Sequence, residues 1–221
     1  MREVVLDTET TGFDPAQGHR IVEIGCLELV NYLPTGHKFH SYVNPERDMP
    51  EAAFGVHGLS AEFLRDKPLF GEIAGDFLEF LGESRLVIHN AAFDLAFLNA
   101  ELERIGRACI ELERAIDTIE LARVKFPGQQ ASLDALCRRF EIDLGGRAKH
   151  GALIDANLLA LVYLELVGGR EPGLALAAEN KIGASFLAGV RTPRPALPPS
   201  AAELAAHGAF VGRLKRPIWR E

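Results

Sequence analysis

Cysteine, methionine and tryptophan are scarce in this chain, at three, two and one in 221 residues. Cys26, Cys109 and Cys137 are odd in number and far apart, so the sequence signals neither a disulfide framework nor a zinc cluster. Each sits in apolar or helical surroundings and is expected to be a small buried residue. No stretch approaches the roughly 20 consecutive apolar residues that cross a bilayer. Met1-Arg2-Glu3 leads through Val4-Val5-Leu6 to charged Asp7 without the long apolar region of a secretory signal. The expectations are therefore no membrane association and a cytoplasmic location. A basic excess is missing too: 24 Lys and Arg stand against 31 Asp and Glu, a net charge of −7, which argues against a simple electrostatic nucleic-acid binder.

The charge is unevenly spread. Residues 170–221 hold eight Lys/Arg and four Asp/Glu, or +4, which leaves −11 on residues 1–169. An acidic body of that kind binds cations or neutral ligands, or uses metals to hold an anionic substrate.

Apolar residues make up 48% of the chain, enough for one sizeable core. Val4-Val5-Leu6 reads as a buried strand, and strands near 20–30 and 37–43, separated by turn signals at Asn31, Pro34 and Gly36, complete an antiparallel meander. The period then changes. Phe70, Ile73, Phe77, Leu78 and Leu81 fall at helical spacing, a short strand follows at Leu86-Val87-Ile88, and Phe93, Phe97 and Leu102 begin another helix. Helices are expected at about 118–126, 132–140 and 151–168, with Asp117 and Glu120 in the form of a capping box. The fold class is a mixed α/β sheet flanked by helices. Gly168-Gly169 marks its end, because six of the twelve prolines follow. The expected organisation is a domain over 1–168, a Pro-rich linker over 169–199, and a tail over 200–221 whose helix starts at Ser200 and is capped by Glu203.

Three short motifs carry chemistry. Asp7 and Glu9, two residues apart at a strand end, point to one face, where two carboxylates repel unless a cation lies between them. Thr10-Thr11-Gly12 follows; the glycine lets backbone approach a ligand, and the hydroxyls suit phosphate or sugar. His89-Asn90-Ala91-Ala92-Phe93-Asp94 places an acid at the opening of a helix after a second strand, a position where Asp often serves only to start the helix. His150 precedes Asp155 by five residues, and Asp155 lies among Leu153, Ile154, Leu158 and Leu159. A carboxylate there needs a partner or a metal.

In this order, and together with Gly55-Val56-His57-Gly58-Leu59 and Asp117-Thr118, the motifs resemble the DEDD exonucleases, specifically their histidine-bearing, DnaQ-like branch. The likeness spans about residues 3–167. It implies a ribonuclease-H-like fold, 3′→5′ exonuclease activity and two divalent ions, Mg²⁺ or Mn²⁺, held by Asp7, Glu9, Asp94 and Asp155. Hard carboxylate oxygens suit those ions, and a pair of them can serve both the attacking and the leaving oxygen of an in-line displacement at phosphorus. His150 is then the general base, since imidazole titrates in the range needed to take a proton from water at neutral pH. By the same resemblance Val56, His57 and Phe93 grip the 3′-terminal nucleotide, and Thr10 and Gly12 meet its sugar. His89 and Asn90 are expected to orient the loop of Asp94, and Asp117 and Asp134 to start helices.

The arm after residue 168 favours a proofreading subunit of a replicative DNA polymerase, acting on the single-stranded 3′ end of DNA and held to the catalytic subunit through residues 200–221. Ala201, Leu204, Phe210, Val211, Leu214, Ile218 and Trp219 supply apolar anchors for that contact. The alternative is a freestanding exoribonuclease of RNase T or oligoribonuclease type. A catalytically silent binding module is opposed by the full acidic set. Glu171-Pro172-Gly173-Leu174-Ala175-Leu176 resembles the sliding-clamp-binding hexapeptide of such subunits, with Glu171 in place of the usual Gln.

Overall fold

The computed structural model describes residues 1–144, 150–168 and 199–213. The chain divides into two compact units, Met1–Leu174 and Ala175–Glu221. The linker and the hexapeptide Glu171–Leu176 lie outside the described residues, as does the end of the tail beyond 213.

The first unit is built on a five-stranded sheet in the order β3-β2-β1-β4-β5. Its strands are β1 (Arg2–Thr10), β2 (Ile21–Val30), β3 (Leu33–Tyr42), β4 (Arg85–Ile88) and β5 (Ala115–Asp117). The first three form the expected antiparallel meander, and β4 and β5 add in parallel on the other side of β1. The mixed α/β class read from the sequence is therefore present.

The second hairpin turns earlier than the proline and glycine signals suggest. Asn31 and Tyr32 take φ values of 51° and 68°, and Val30 pairs with Leu33 across them. Two consecutive left-handed residues make the tight turn whose twist suits antiparallel strands. Pro34 and Gly36 thus lie within β3, which its place at the sheet edge permits, because an edge strand can spare a ladder donor.

Alternation along β1 sorts its side chains to two faces. Val4 and Leu6 enter one core with α3 (Phe70–Leu81) and α4 (Ala91–Arg104). Val5 enters another with α7 (Ala152–Val167), where Ala156, Leu159, Ala160 and Tyr163 lie over Leu27, Leu29 and Val87. A third cluster joins α7 to α5 (Thr118–Lys125) and α6 (Leu133–Arg139). The sheet is covered on both faces, and its central strand carries the first motif out of the core at its C-terminal end.

Two short helices, α1 (Glu51–His57) and α2 (Ala61–Arg65), and the strand β5 were not anticipated. Asp117 caps α5 through the amide of Ile119 at 2.8 Å, but Glu120 does not complete a capping box. Cys26 and Cys137 are buried as expected. Cys109 is exposed, its thiol 3.3 Å from Glu103, because the loop after α4 runs over the surface. In the second unit α8 (Ala201–Gly212) begins as expected, with Ser200 and Glu203 exchanging backbone bonds in a full capping box.

Helix α7 sits unusually close to the sheet. A Cβ on Gly25 of β2 would lie 2.4 Å from the backbone of Ala152 and Leu153, closer than atoms pack, so glycine at this position is what lets the helix start touch the strand. Gly25→Ala is expected to destabilise the domain by about 1–3 kcal/mol through overpacking against backbone. Urea denaturation checks this, and an unchanged midpoint would show that the helix can move away without cost.

Candidate active site

Asp7 and Glu9 share the face of β1 that carries Glu3 and Val5, the face under α7. The hydroxyl of Tyr163 donates to Glu3 Oε1 at 2.9 Å and fixes the far end of this contact. Eight residues of helix from Tyr163 back to Asp155 cover about 12 Å, and four residues of strand from Glu3 to Asp7 cover about 13 Å. With α7 antiparallel to β1, the two lengths match, and Asp155 arrives over the end of the strand. There Glu9, His150 and Asp155 each place one potential ligand atom within 4.8 Å of the others. His150 Nδ1 lies 3.0 Å from Asp155 Oδ2, while nearly half of the imidazole side chain is exposed. Its backbone amide donates to Val56 at 3.2 Å, which ties the His150 turn to the end of α1.

Asp94 reaches the same strand from the other layer. β1 outruns β4, whose pairing ends at Val5↔Val87, and Asp94 Oδ1 takes both the Thr8 amide at 3.0 Å and the Thr8 hydroxyl at 2.7 Å. The turn leading to it is held by Asp117, whose carboxylate accepts the amides of Asn90 and Ala91 at 3.2 and 3.0 Å. Asn90 is in the left-handed region, with φ 70°, and His89 Nδ1 contacts the Thr118 hydroxyl at 2.9 Å. Asp117 therefore joins two helix starts instead of beginning one alone. Asp94 is 3% exposed, and burial pushes its carboxyl up to about 7, with the Thr8 bonds pulling the other way and the nearby charge of Asp117 adding to the rise.

Asp7 and Asp94 lie outside the 4.8 Å group of Glu9, His150 and Asp155, and Asp94 is tied through Thr8 to the stretch of strand between Asp7 and Glu9. The buried thiol of Cys26, opposite Leu6 on β2, is pushed well up by burial and then by the charges of Asp7 and Asp94.

Beside the acids opens a cleft of about 320 Å³. Thr10, Gly12, Val56, His57 and Phe93 all line it, next to Glu9. Thr10 donates its hydroxyl to the Gly12 carbonyl at 2.6 Å, and a Cβ on Gly12 would strike the ring of His19. His57 Nδ1 accepts the Leu59 amide at 3.0 Å, which assigns the proton of the neutral ring to Nε2. Sequence reasoning missed His19, Phe13, Pro50 just before α1, and the α1 residues Ala52 and Ala53 in this lining. Phe13 had a signal, since it extends the Thr10-Thr11-Gly12 motif by one residue. His19 and the start of α1 had none, although Val56 and His57 at the helix end were singled out by their motif.

The donors fit a hard divalent cation. Glu9 and Asp155 meet beside His150, Asp94 is bonded to Thr8 next to Glu9, all three acids are buried, and such charges require a counter-charge to remain ionised.

Residues 4–163 match the family model described as an exonuclease. The chain belongs to the exonuclease family. This exonuclease is 51% identical to the DNA polymerase III subunit epsilon of Rickettsia conorii, with 99% of each chain covered. It is 46% identical to the subunit of that name from Escherichia coli K12, over 81% of this chain and 76% of that protein. Among solved structures it superposes on the nuclease domain of 3′hExo, a DEDDh family member bound to rAMP, with a TM-score of 0.65. That match has 20% identity and covers 75% and 91% of the two chains. Exonuclease X in complex with 5′ overhanging duplex DNA gives a TM-score of 0.60 and 24% identity, covering 74% and 90%. At these identities the two structures bear on the fold, which is the ribonuclease-H-like exonuclease fold. Among the described residues no helix is long and apolar enough to cross a membrane.

The raised Asp94 carboxyl sets a pH signature. The metal-free domain keeps its proton on Asp94 where the unfolded chain has lost it, so this group's stabilising contribution is full below the ordinary carboxylate range and is lost as pH rises towards about 7. A divalent cation reverses that loss. Mn²⁺ or Mg²⁺ is expected to raise the melting temperature by several degrees at pH 8, less at pH 5.5, and EDTA to cancel the gain. Thermal denaturation at both pH values checks this, and a gain independent of pH would oppose it.

Proposed function

We propose that the chain is a proofreading 3′→5′ exonuclease that removes terminal nucleotides from single-stranded DNA ends, with Asp7, Glu9, Asp94 and Asp155 holding two divalent ions, Mg²⁺ or Mn²⁺. The observation that carries the reading is the meeting of Glu9, His150 and Asp155 at the rim of an apolar cleft. When bound, the ions supply Lewis acidity at the scissile phosphate and neutralise the acidic cluster.

The chain's own residues do the rest. Val56 and Phe93 offer an apolar and aromatic lining to an unstacked base, and Thr10, Gly12 and His57 stand beside them with polar groups for the terminal sugar. With Nδ1–H directed at Asp155, His150 takes the proton of the attacking water at Nε2, and the Asp155 carboxylate stabilises the imidazolium that forms. A mispaired end frays more cheaply than a paired one, so a site that grips an unstacked terminus selects errors without reading bases.

The full-length match to polymerase subunits does not favour the freestanding exoribonuclease alternative. The tail residues 200–221 are the proposed contact with the polymerase catalytic subunit, and α8 carries exposed Leu204 and Phe210 for it. Residues Glu171–Leu176 are the proposed clamp contact, weakened by Glu171, which lacks the amide donor of Gln.

His150→Ala is expected to fold and to keep its cation-induced stabilisation while losing about 10²–10⁴-fold in turnover on single-stranded DNA. Wild-type turnover in this variant would remove His150 from the mechanism. Deleting residues 200–221 is expected to abolish capture of the polymerase catalytic subunit in a pull-down and to leave hydrolysis of free oligonucleotides intact. In a titration of a 165–180 peptide with clamp, Glu171→Gln is expected to tighten binding, and no binding by either peptide would remove the clamp contact.

A further inference from the structure

Glu23 of β2 is a carboxylate that the reaction outlined above does not use. It is 4% exposed and is the direct cross-strand partner of Glu9. Its two oxygens serve different elements. Oε1 lies 2.7 Å from Nε2 of His40 on β3, and Oε2 accepts the backbone amide of Ala152, the first residue of α7, at 3.1 Å.

Helix α7 has no cap of its own, because the residue before it is Gly151. Its orphan amide is satisfied from a strand 129 positions away in sequence. Gly25, on the same strand, brings the helix start within van der Waals contact of the sheet, so the carboxylate and the glycine act on one turn. That turn carries His150 two residues before Ala152, and Asp155 three residues after it. The Asp155 amide itself bonds back to Gly151 at 2.9 Å. A negative charge at a helix start is also favoured by the helix dipole.

We infer that Glu23 is a positioning residue: by capping α7 from β2 it holds His150 and Asp155 in place against Glu9, and His40 holds Glu23 in the orientation that does so. The inference rests on the proposed nuclease site and adds a supporting carboxylate that touches neither nucleotide nor ion. Partners of this kind, acting through the residues that bind, are worth about 10–100-fold in activity or metal affinity.

The test compares Glu23→Met, which nearly keeps the volume and removes both acceptors, with Glu23→Gln, which keeps a carbonyl oxygen for the Ala152 amide. Full-length proteins are assayed on a single-stranded DNA oligonucleotide over a MnCl₂ titration, well below their melting temperatures. Glu23→Met is expected to lose about 10–100-fold in kcat or in Mn²⁺ half-saturation with KM for DNA within about threefold of wild type, and Glu23→Gln to recover most of the loss. His40→Phe is expected to fall between them. If Glu23→Met does not fold, Glu23→Ser, whose hydroxyl is too short to reach Ala152, replaces it.

A folded Glu23→Met or Glu23→Ser enzyme with wild-type kcat and Mn²⁺ half-saturation would overturn the inference, as would Glu23→Gln failing equally, since that would implicate charge instead of the cap. Wild-type protein without cation-dependent hydrolysis would instead overturn the nuclease reading on which the inference rests.

Discussion

The docking of α7 against β1 and β2 is the constraint on which the site depends. Two acids of the proposed ion-binding set are on the strand and one is on the helix, so their separation is a packing distance before it is a chemical one. Three contacts set it. Tyr163 bonds Glu3 at one end, Ala156, Leu159 and Ala160 fill the middle, and Gly25 with Glu23 admits and caps the helix start at the other. None of these residues needs to meet the nucleic acid. Together they convert a strand end and a helix end into one side of an active site, while Asp94 is delivered independently from the opposite layer through Thr8.

Burying acids in this way is unfavourable in isolation. Burial drives the carboxyl of Asp94 towards its neutral form, and the hydrogen bonds from Thr8 only partly offset it. The domain therefore holds a cluster whose ionised state is favoured by a cation, which couples binding of the ion to the stability of the fold. Apolar lining lies next to this charge, in Val56, Phe93 and the α1 alanines, so one cleft offers a hard electrostatic half and a soft stacking half. A nucleotide has the same division between phosphate and base.

Much of this was legible in the sequence because the motifs are local. Asp7 and Glu9 share a face by strand periodicity, and the capping box at Ser200 is a pattern of adjacent residues. The meander, α3, α4 and α7 followed from apolar spacing. What escaped was set by tertiary contact. α1 contains Gly55 and little apolar period; Gly58 ends it in the left-handed region, and the amide of His150 bonds its Val56 carbonyl. β5 is three residues long and takes its definition from pairing with β4. Of the turn signals at Asn31, Pro34 and Gly36, the first marked the turn, where Asn31 and Tyr32 both adopt left-handed backbone, and the other two fell within β3. Asp117 read as a helix start, and its second task, holding the amides before α4, required knowing that β4 and β5 end side by side. Cys109 read as buried because apolar neighbours in sequence do not decide which side of a loop faces water.

The sequence distance between the strand acids and Asp155 bears on when the enzyme first becomes dangerous to nucleic acid. During synthesis Asp7 and Glu9 emerge early, whereas His150 and Asp155 follow only after nearly the whole sheet has left the ribosome. A growing chain carries an incomplete ligand set, and a truncated product ending before His150 has neither the fourth acid of the proposed set nor the imidazole. On the proposed ligand set, hydrolysis therefore requires the last helix of the first unit to be in place over the sheet.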